Sequence, residues 1–447
     1  MPFDYDLFII GAGPGGTAAA RRAADCGAKV AIAEKDRVGG TCVVHGCVPE
    51  KMMTYAARYA DLLKNADEYG WKDVSRFFSW PQFMRIRDNN IDHLVEVHTS
   101  HLKEAEVTLL QGEARFVDSH TVSVKGHGEI SAERVLIAVG AHSVTPEIEG
   151  IEHAILMRDL LALDKAPNKV VIVGSNHIAT KFAGILNGLS CHVIQIFEEA
   201  TVLPQCDEDL REVIAQEMEE EGITLLGRTQ VQRITQTENG LMLQLKGEEN
   251  CELQVDEVIF ATDRAATIDN LNLEAVGVAV ECGAIAVDEN NCTSVDHIYA
   301  IGDCTLSPQW TPVAIAQGHA FAENVFDNKQ KRVSYQSIPY GVSTRPEAAT
   351  IGLTEVQAKD KLNGAVQCYQ KTFEPLFNLM GESKREALLK LVVDEETDEV
   401  IGAHMVGDSA TEVVQMIAPA MKAGVKMKHF GRSLGIHPTI SEEFFTM

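Results

Sequence analysis

Apolar residues in this chain gather in short unbroken runs that end at glycine turns. Asp6 to Ile10 leads into Gly11-Ala12-Gly13-Pro14-Gly15-Gly16 and then into the alanine-rich stretch Thr17 to Ala24. An unbroken apolar run signals a strand buried on both faces, as in a parallel sheet covered by helices. The order therefore predicts strand, tight turn and helix. Lys29 to Ala33 predicts a second strand, closed by Glu34. The plan recurs once: Lys169 to Val173 meets Gly174, a helix is expected through Phe182 to Leu186, and a strand from His192 to Phe197.

Residues 81–110 predict one long helix, and Arg134 to Gly140 a strand returning to the first unit. Ile298 to Asp303 reads as a further buried strand ending in a carboxylate. Beyond residue 332, strands at Leu389 to Val393 and Val400 to His404 alternate with a helix from Thr411 to Ala423. The fold class expected is α/β, with two Rossmann-like domains and a C-terminal α+β domain.

At 447 residues the chain has room for about three cores. A net charge of −26 argues against nucleic acid and anionic membranes as partners. No run reaches the roughly 18 apolar residues of a membrane span. No basic segment followed by an apolar stretch stands at the N-terminus, so a cytoplasmic location is expected. Ten scattered cysteines are not a disulfide scaffold, and they suit a reducing compartment.

Two constellations carry chemistry. In the first turn, Gly11 makes the bend, Gly13 lets backbone approach a pyrophosphate, and Gly16 allows close helix–strand packing. Gly15 completes the run, and Glu34 lies where a carboxylate takes a ribose hydroxyl. The second is Gly39-Gly40-Thr41-Cys42-Val43-Val44-His45-Gly46-Cys47-Val48-Pro49. Two thiols this close are a disulfide, half a metal site or coincidence. No second Cys/His cluster supplies the other two metal ligands, so no metal is expected. A dinucleotide turn beside a dithiol suggests two-electron transfer between a bound cofactor and sulfur.

The segment resembles the redox site of the class I pyridine nucleotide–disulfide oxidoreductases; within that family the chain looks closest to the glutathione reductase branch, while Thr344-Arg345-Pro346-Glu347 resembles the dihydrolipoamide dehydrogenase branch. The resemblance implies an FAD domain over 1–150, a nicotinamide-nucleotide domain over 151–266, a central domain over 267–332 and a dimerisation domain over 333–447. It implies that Gly40, Thr41, Ala114, Gly140, Gly302 and Thr311 touch FAD, with Asp303 on the ribityl chain. Cys47 would lie against the flavin as the charge-transfer thiolate, and Cys42 would face a small disulfide or dithiol substrate. His437, oriented by Glu442, resembles the family's acid–base dyad. In the family that histidine comes from the other subunit, so a homodimer is implied.

Departures gather at the second nucleotide turn. After Gly174, Asn176 stands for a glycine, His177 for an aromatic that shields the flavin, and Lys181 for a glutamate. The arginines that hold a 2′-phosphate correspond to Glu198 and Pro204, and Asp263 replaces a glycine. A carboxylate repels a phosphate, so NADPH is disfavoured and NADH is admitted. Glu50 stands where the family has lysine, so Glu50 and Lys181 read as a reversed charge pair beside the flavin. Arg21 matches a substrate-side arginine, whereas Asn90 and His98 replace two tyrosines. Three readings follow: a nucleotide-driven disulfide reductase, a flavin–dithiol oxidoreductase with another electron partner, and a non-catalytic flavoprotein scaffold.

Overall fold

The computed structural model describes residues 3–75, 77–247, 250–380 and 385–447. The chain divides into two compact units. The first comprises Met1–Glu50, Pro81–Val144 and Asp263–Tyr335, and the second Lys51–Trp80, Thr145–Thr262 and Gln336–Met447.

In the first unit, β1 (Tyr5–Ile10) is followed by α1 (Pro14–Asp25) and β2 (Val30–Glu34). Then come α2 (Gly40–Val44), α3 (Cys47–Lys64), α4 (Trp80–Glu104), β3 (Thr108–Gln111), β4 (Ala114–Asp118), β5 (Thr121–Val124) and β6 (Gly128–Ile137). α3 begins in the first unit and runs on into the second. β1 pairs in parallel with β2 on one side and β6 on the other, and Ile298–Ala300 adds in parallel to β6. Leu7, Phe8 and Ile9 are fully buried, as expected of a strand covered on both faces. Glu34 ends β2, where the sequence placed it.

The long helix expected over residues 81–110 stops at Glu104. Glu106 adopts φ +57°, its N–H donates to Lys103 O, and Val107 N–H donates to Leu102 O. Those bonds close a left-handed helix terminus, and the chain turns into edge strand β3. No glycine marks the stop, and the apolar spacing through Leu102, Val107 and Leu109 continues across it.

The second unit holds a parallel sheet of Thr224–Leu226, His192–Ile196, Lys169–Val173, Glu257–Phe260 and Ile155–Leu156, in that order. α5 (His177–Gly188) and α6 (Glu208–Glu220) accompany it. A five-stranded antiparallel sheet follows, with Val400–Val406 and Ala387–Asp394 at its centre and helix Ala410–Lys422 packed on it.

Both ends of α6 are tied to that antiparallel sheet by buried ions. At its start, Lys390 Nζ bonds Asp207 at 2.8 Å and Glu355 at 2.7 Å, and also reaches Asp209; Lys390 and Asp207 are each 1% exposed. At its end, Arg385 bonds Glu221 at 2.6 Å and Asp61 at 3.1 Å, and Arg345 shares Asp61. Lys359 and then Lys390 hold the Glu355 carboxyl down at about 2. No helix among the described residues is long and apolar enough to cross a membrane.

Removing one partner of such a pair leaves the other charge buried. Lys390→Ala should therefore destabilise the protein by about 3–5 kcal/mol, read by urea unfolding. The pH dependence has a definite sign. Glu355 is depressed in the folded state, so its contribution is complete above its unfolded pKa of about 4.3 and fades as pH falls toward 2. An acid titration of the parent should show that loss, and Glu355→Gln should flatten it.

Candidate active site

The first turn is built so that backbone can meet a ligand. Gly11 has φ +105°, and a Cβ there would lie 2.5 Å from Ala138 O; one on Gly16 would lie 2.0 Å from Gly11 O. Gly15 allows the helix Thr311–Phe326 to pack on α1, since its Cβ would sit 3.1 Å from Ala314 O. Gly13, the residue before α1, differs from all of these. Nothing lies within 4 Å of its Cβ position, and no side chain caps the helix. The unsatisfied N–H groups of the first helical turn therefore face open space, which is what a pyrophosphate needs.

Glu34 is buried and fixed: Oε2 accepts Ala12 N–H at 2.8 Å and Oε1 accepts Asp36 N–H at 2.9 Å. Asp303 lies in a short turn after Ile298–Ala300, beside Gly302 at φ +73°. Its Oδ2 accepts a bond from Arg264 Nη1 at 2.6 Å, while Arg264 Nη2 donates to Ala141 O. The buried Gln317 accepts Gly302 N–H at 2.8 Å and pins that turn. Ala114 is buried at the start of β4, and Gly140 follows β6 with φ +69°. These residues fit a dinucleotide laid across the sheet edge.

The dithiol sits directly against the turn. A Cβ on Gly40 would lie 2.9 Å from Gly13 Cα, so α2, which carries Thr41 and Cys42, starts on the phosphate cradle. Cys47 opens α3, and its Sγ lies 3.6 Å from Thr311 Oγ1. Both cysteines are free thiols, Cys42 half-buried and Cys47 exposed. The Cys42 thiol is pushed far above its ordinary range, first by its hydrogen bond to Cys47, then by burial and by charge on Cys47. Cys47, by contrast, is exposed at the first residue of α3, where a helix N-terminus favours a thiolate. Glu50 lies in the first turn of the same helix.

Val43 and Val44 of α2 pack against Ile91, Leu94 and Val95 of α4. Asn90 and His98 flank those positions on α4. Asn90 donates to Ile86 O of its own helix, and burial, then His101 and Arg21, push His98 below its ordinary value.

In the second unit, His437 Nδ1 lies 3.0 Å from Glu442 Oε1. Thr439-Ile440-Ser441-Glu442 forms a capping box: Thr439 Oγ1 accepts Glu442 N–H, and the Glu442 carboxylate accepts Thr439 N–H. The three-residue spacing from Thr439 to Glu442 is the sequence signal of such a box. A Cβ on Gly435 would lie 2.6 Å from Glu442 Cβ, so that glycine is what lets the segment fold back. The His437 side chain is 81% exposed, leaving Nε2 open to solvent.

At the second turn, Gly174 has φ +134°, and a Cβ there would lie 2.8 Å from Ala261 O. Asn176 caps α5 with its own side chain, His177 is the first helical residue, and Lys181 is buried. Glu198 accepts a bond from Gln230 Nε2 at 2.7 Å. Asp263 belongs to the first unit, where its backbone carbonyl accepts Val144 N–H. Among the described residues no three side chains gather as metal ligands.

The pyridine nucleotide-disulphide oxidoreductase pattern matches residues 5–318, and that family's dimerisation domain matches residues 338–447. The chain belongs to this family. It is 42% identical to a glutathione reductase from a Nostoc species over the full length of both proteins. It is 40% identical to glutathione reductase from Burkholderia cepacia, covering all of this chain and 98% of the other. With the chloroplastic/mitochondrial glutathione reductase of Pisum sativum the identity is 37%, over all of this chain and 82% of the other. The family member described here is an FAD-dependent disulfide oxidoreductase of glutathione-reductase type.

Gly13 is extended at φ −72°, so a larger residue there meets neither backbone strain nor a neighbour. Gly13→Val should stay folded by far-UV circular dichroism yet lose most of its flavin, read from visible absorbance. Gly16→Val should fail to fold, because its side chain would collide with Gly11 O.

Proposed function

We propose that this chain reduces a small disulfide of the glutathione class, using the Cys42–Cys47 pair with the His437–Glu442 dyad as its acid–base partner. The asymmetry of the dithiol carries this reading: Cys42 is half-buried on α2 with its thiol pushed up, whereas Cys47 is exposed at the start of α3, so the two sulfurs have separate tasks. FAD, when bound, supplies the two-electron relay that returns the pair to its reduced form. His437 Nε2 takes the Cys42 proton as that sulfur attacks the substrate disulfide. A Cys42–substrate disulfide forms, and the departing thiolate receives the proton. Cys47 then attacks the Cys42 sulfur, displaces the second thiolate and closes the protein disulfide. The dithiol has lost two electrons, and the substrate has become one thiol and one thiolate that takes its proton from solvent.

A homodimer completes the site in this reading, with the dyad of one subunit serving the dithiol of the other. Two observations support it: a dimerisation domain matches the C-terminal part, and Leu434 and Ile436, just before the dyad, are 97% and 79% exposed. The segments 1–150, 151–266, 267–332 and 333–447 are assigned as flavin, nucleotide, central and dimerisation domains. Of the two nicotinamide dinucleotides NADPH is the more disfavoured, because Glu198 places a carboxylate beyond the strand His192–Ile196 where a 2′-phosphate would lie.

Two variants test the roles. Cys47→Ser in the reduced protein should abolish the long-wavelength thiolate–flavin band, while Cys42→Ser keeps it; a band indifferent to Cys47 overturns the assignment. His437→Ala should keep FAD and the dimer but slow disulfide reduction by about 10²–10⁴-fold. A fully active variant would remove His437 from the reaction.

A further inference from the structure

The chain's two Rossmann-like turns differ at one position in a way that bears on its electron donor. At the first turn the residue before the helix is Gly13, uncapped and facing open space. At the second it is Asn176, whose Oδ1 accepts both Ile178 N–H and Ala179 N–H at 3.0 Å. Its Nδ2 donates to Ala261 O at 2.8 Å. The chemistry of the partners fixes the orientation of the amide, since backbone N–H groups must meet its oxygen and a carbonyl its nitrogen.

The placement matters as much as the bonds. Lys169–Val173 leads to α5, and its neighbour in the sheet, Glu257–Phe260, leads to Ala261. Strand order reverses between these two strands, so the crevice at their carboxyl ends is where an open α/β sheet takes its ligand. The Asn176 side chain crosses that crevice from the helix terminus to the facing loop. It satisfies the two donors a pyrophosphate would use, from the position a pyrophosphate oxygen would take.

The turn cannot readily move aside. From below, the fully buried Gln195 donates through Nε2 to Gly174 O at 2.9 Å and to Thr180 Oγ1 at 3.3 Å. From the side, Leu203 N–H donates to Ser175 O at 2.7 Å. A nicotinamide dinucleotide, which the family implies, does not fit this cradle as it stands.

We infer that Asn176 is a specificity-determining residue that closes the second nucleotide cradle and sets the chain against nicotinamide dinucleotides as electron donors. The inference rests on the flavin–dithiol reading above, but it concerns a separate unit and is tested by binding. Calorimetric titration of the flavin-loaded protein with NADH, NADPH and ADP-ribose is the experiment. ADP-ribose carries the pyrophosphate without the redox ring.

The parent should bind all three more weakly than about 1 mM, outside the usual range of enzyme substrates. Asn176→Ala, which removes the cap, should tighten binding about 2–30-fold, the equivalent of one lost N-cap, and Asn176→Gly, which also clears the side chain, should tighten it too. Asn176→Asp keeps a capping oxygen and adds charge, so it should gain nothing. Micromolar binding by the parent, or no gain in either uncapped variant, overturns the inference. Anaerobic dithiothreitol should still raise the long-wavelength thiolate–flavin band in the parent. Failure of that control would strike the flavin–dithiol reading and leave the nucleotide result to stand on its own titration.

Discussion

The whole first unit depends on how closely one helix approaches one strand. Gly16 must pass within touching distance of Gly11 O, and Gly40 must rest against Gly13. The first contact aims the free N–H groups of α1 across the sheet edge. The second seats the short helix bearing Cys42 on that same turn. Cofactor cradle and redox sulfur are therefore one piece of backbone geometry, held by the absence of three side chains. A methyl group at Gly11 or Gly16 would separate the layers before any chemistry could be considered.

The second unit is organised by charge. α6 has an acidic residue before its first turn and others at its last, and both ends are met by cations from the C-terminal sheet. Burial makes such pairs costly to form and costlier to break, because losing one partner leaves an uncompensated buried charge. His404 shows the same economy without charge. It is fully buried, burial pushes its pKa down, and its two nitrogens meet Thr350 Oγ1 and Leu353 O.

Much of this was legible in the sequence wherever the cause is local. The glycine turns, the strand that ends at Glu34 and the Cys42–Cys47 segment all depend on residues within a few positions of one another. The helix stop at Glu104 escaped because a non-glycine residue took the left-handed conformation, leaving no mark in the composition. The ion pair of Lys390 left no local mark, because its partner Asp207 is 183 residues away. Asn176 was visible as a departure from glycine, but the three bonds it makes could be counted only once the sheet edge had been assembled. Spacing reveals an absent glycine; it does not reveal what the new side chain will hold.

The self-capped α5 also bears on how the unit is maintained. A domain whose helix terminus waits for a ligand is stabilised by mass action, and its stability follows the concentration of that ligand. Here the hydrogen bonds are covalently tethered to the chain and present at an effective concentration that never varies. On the inference that Asn176 closes the cradle, the second unit carries this stabilising contact from synthesis onward, and its stability would not follow the nucleotide content of its surroundings.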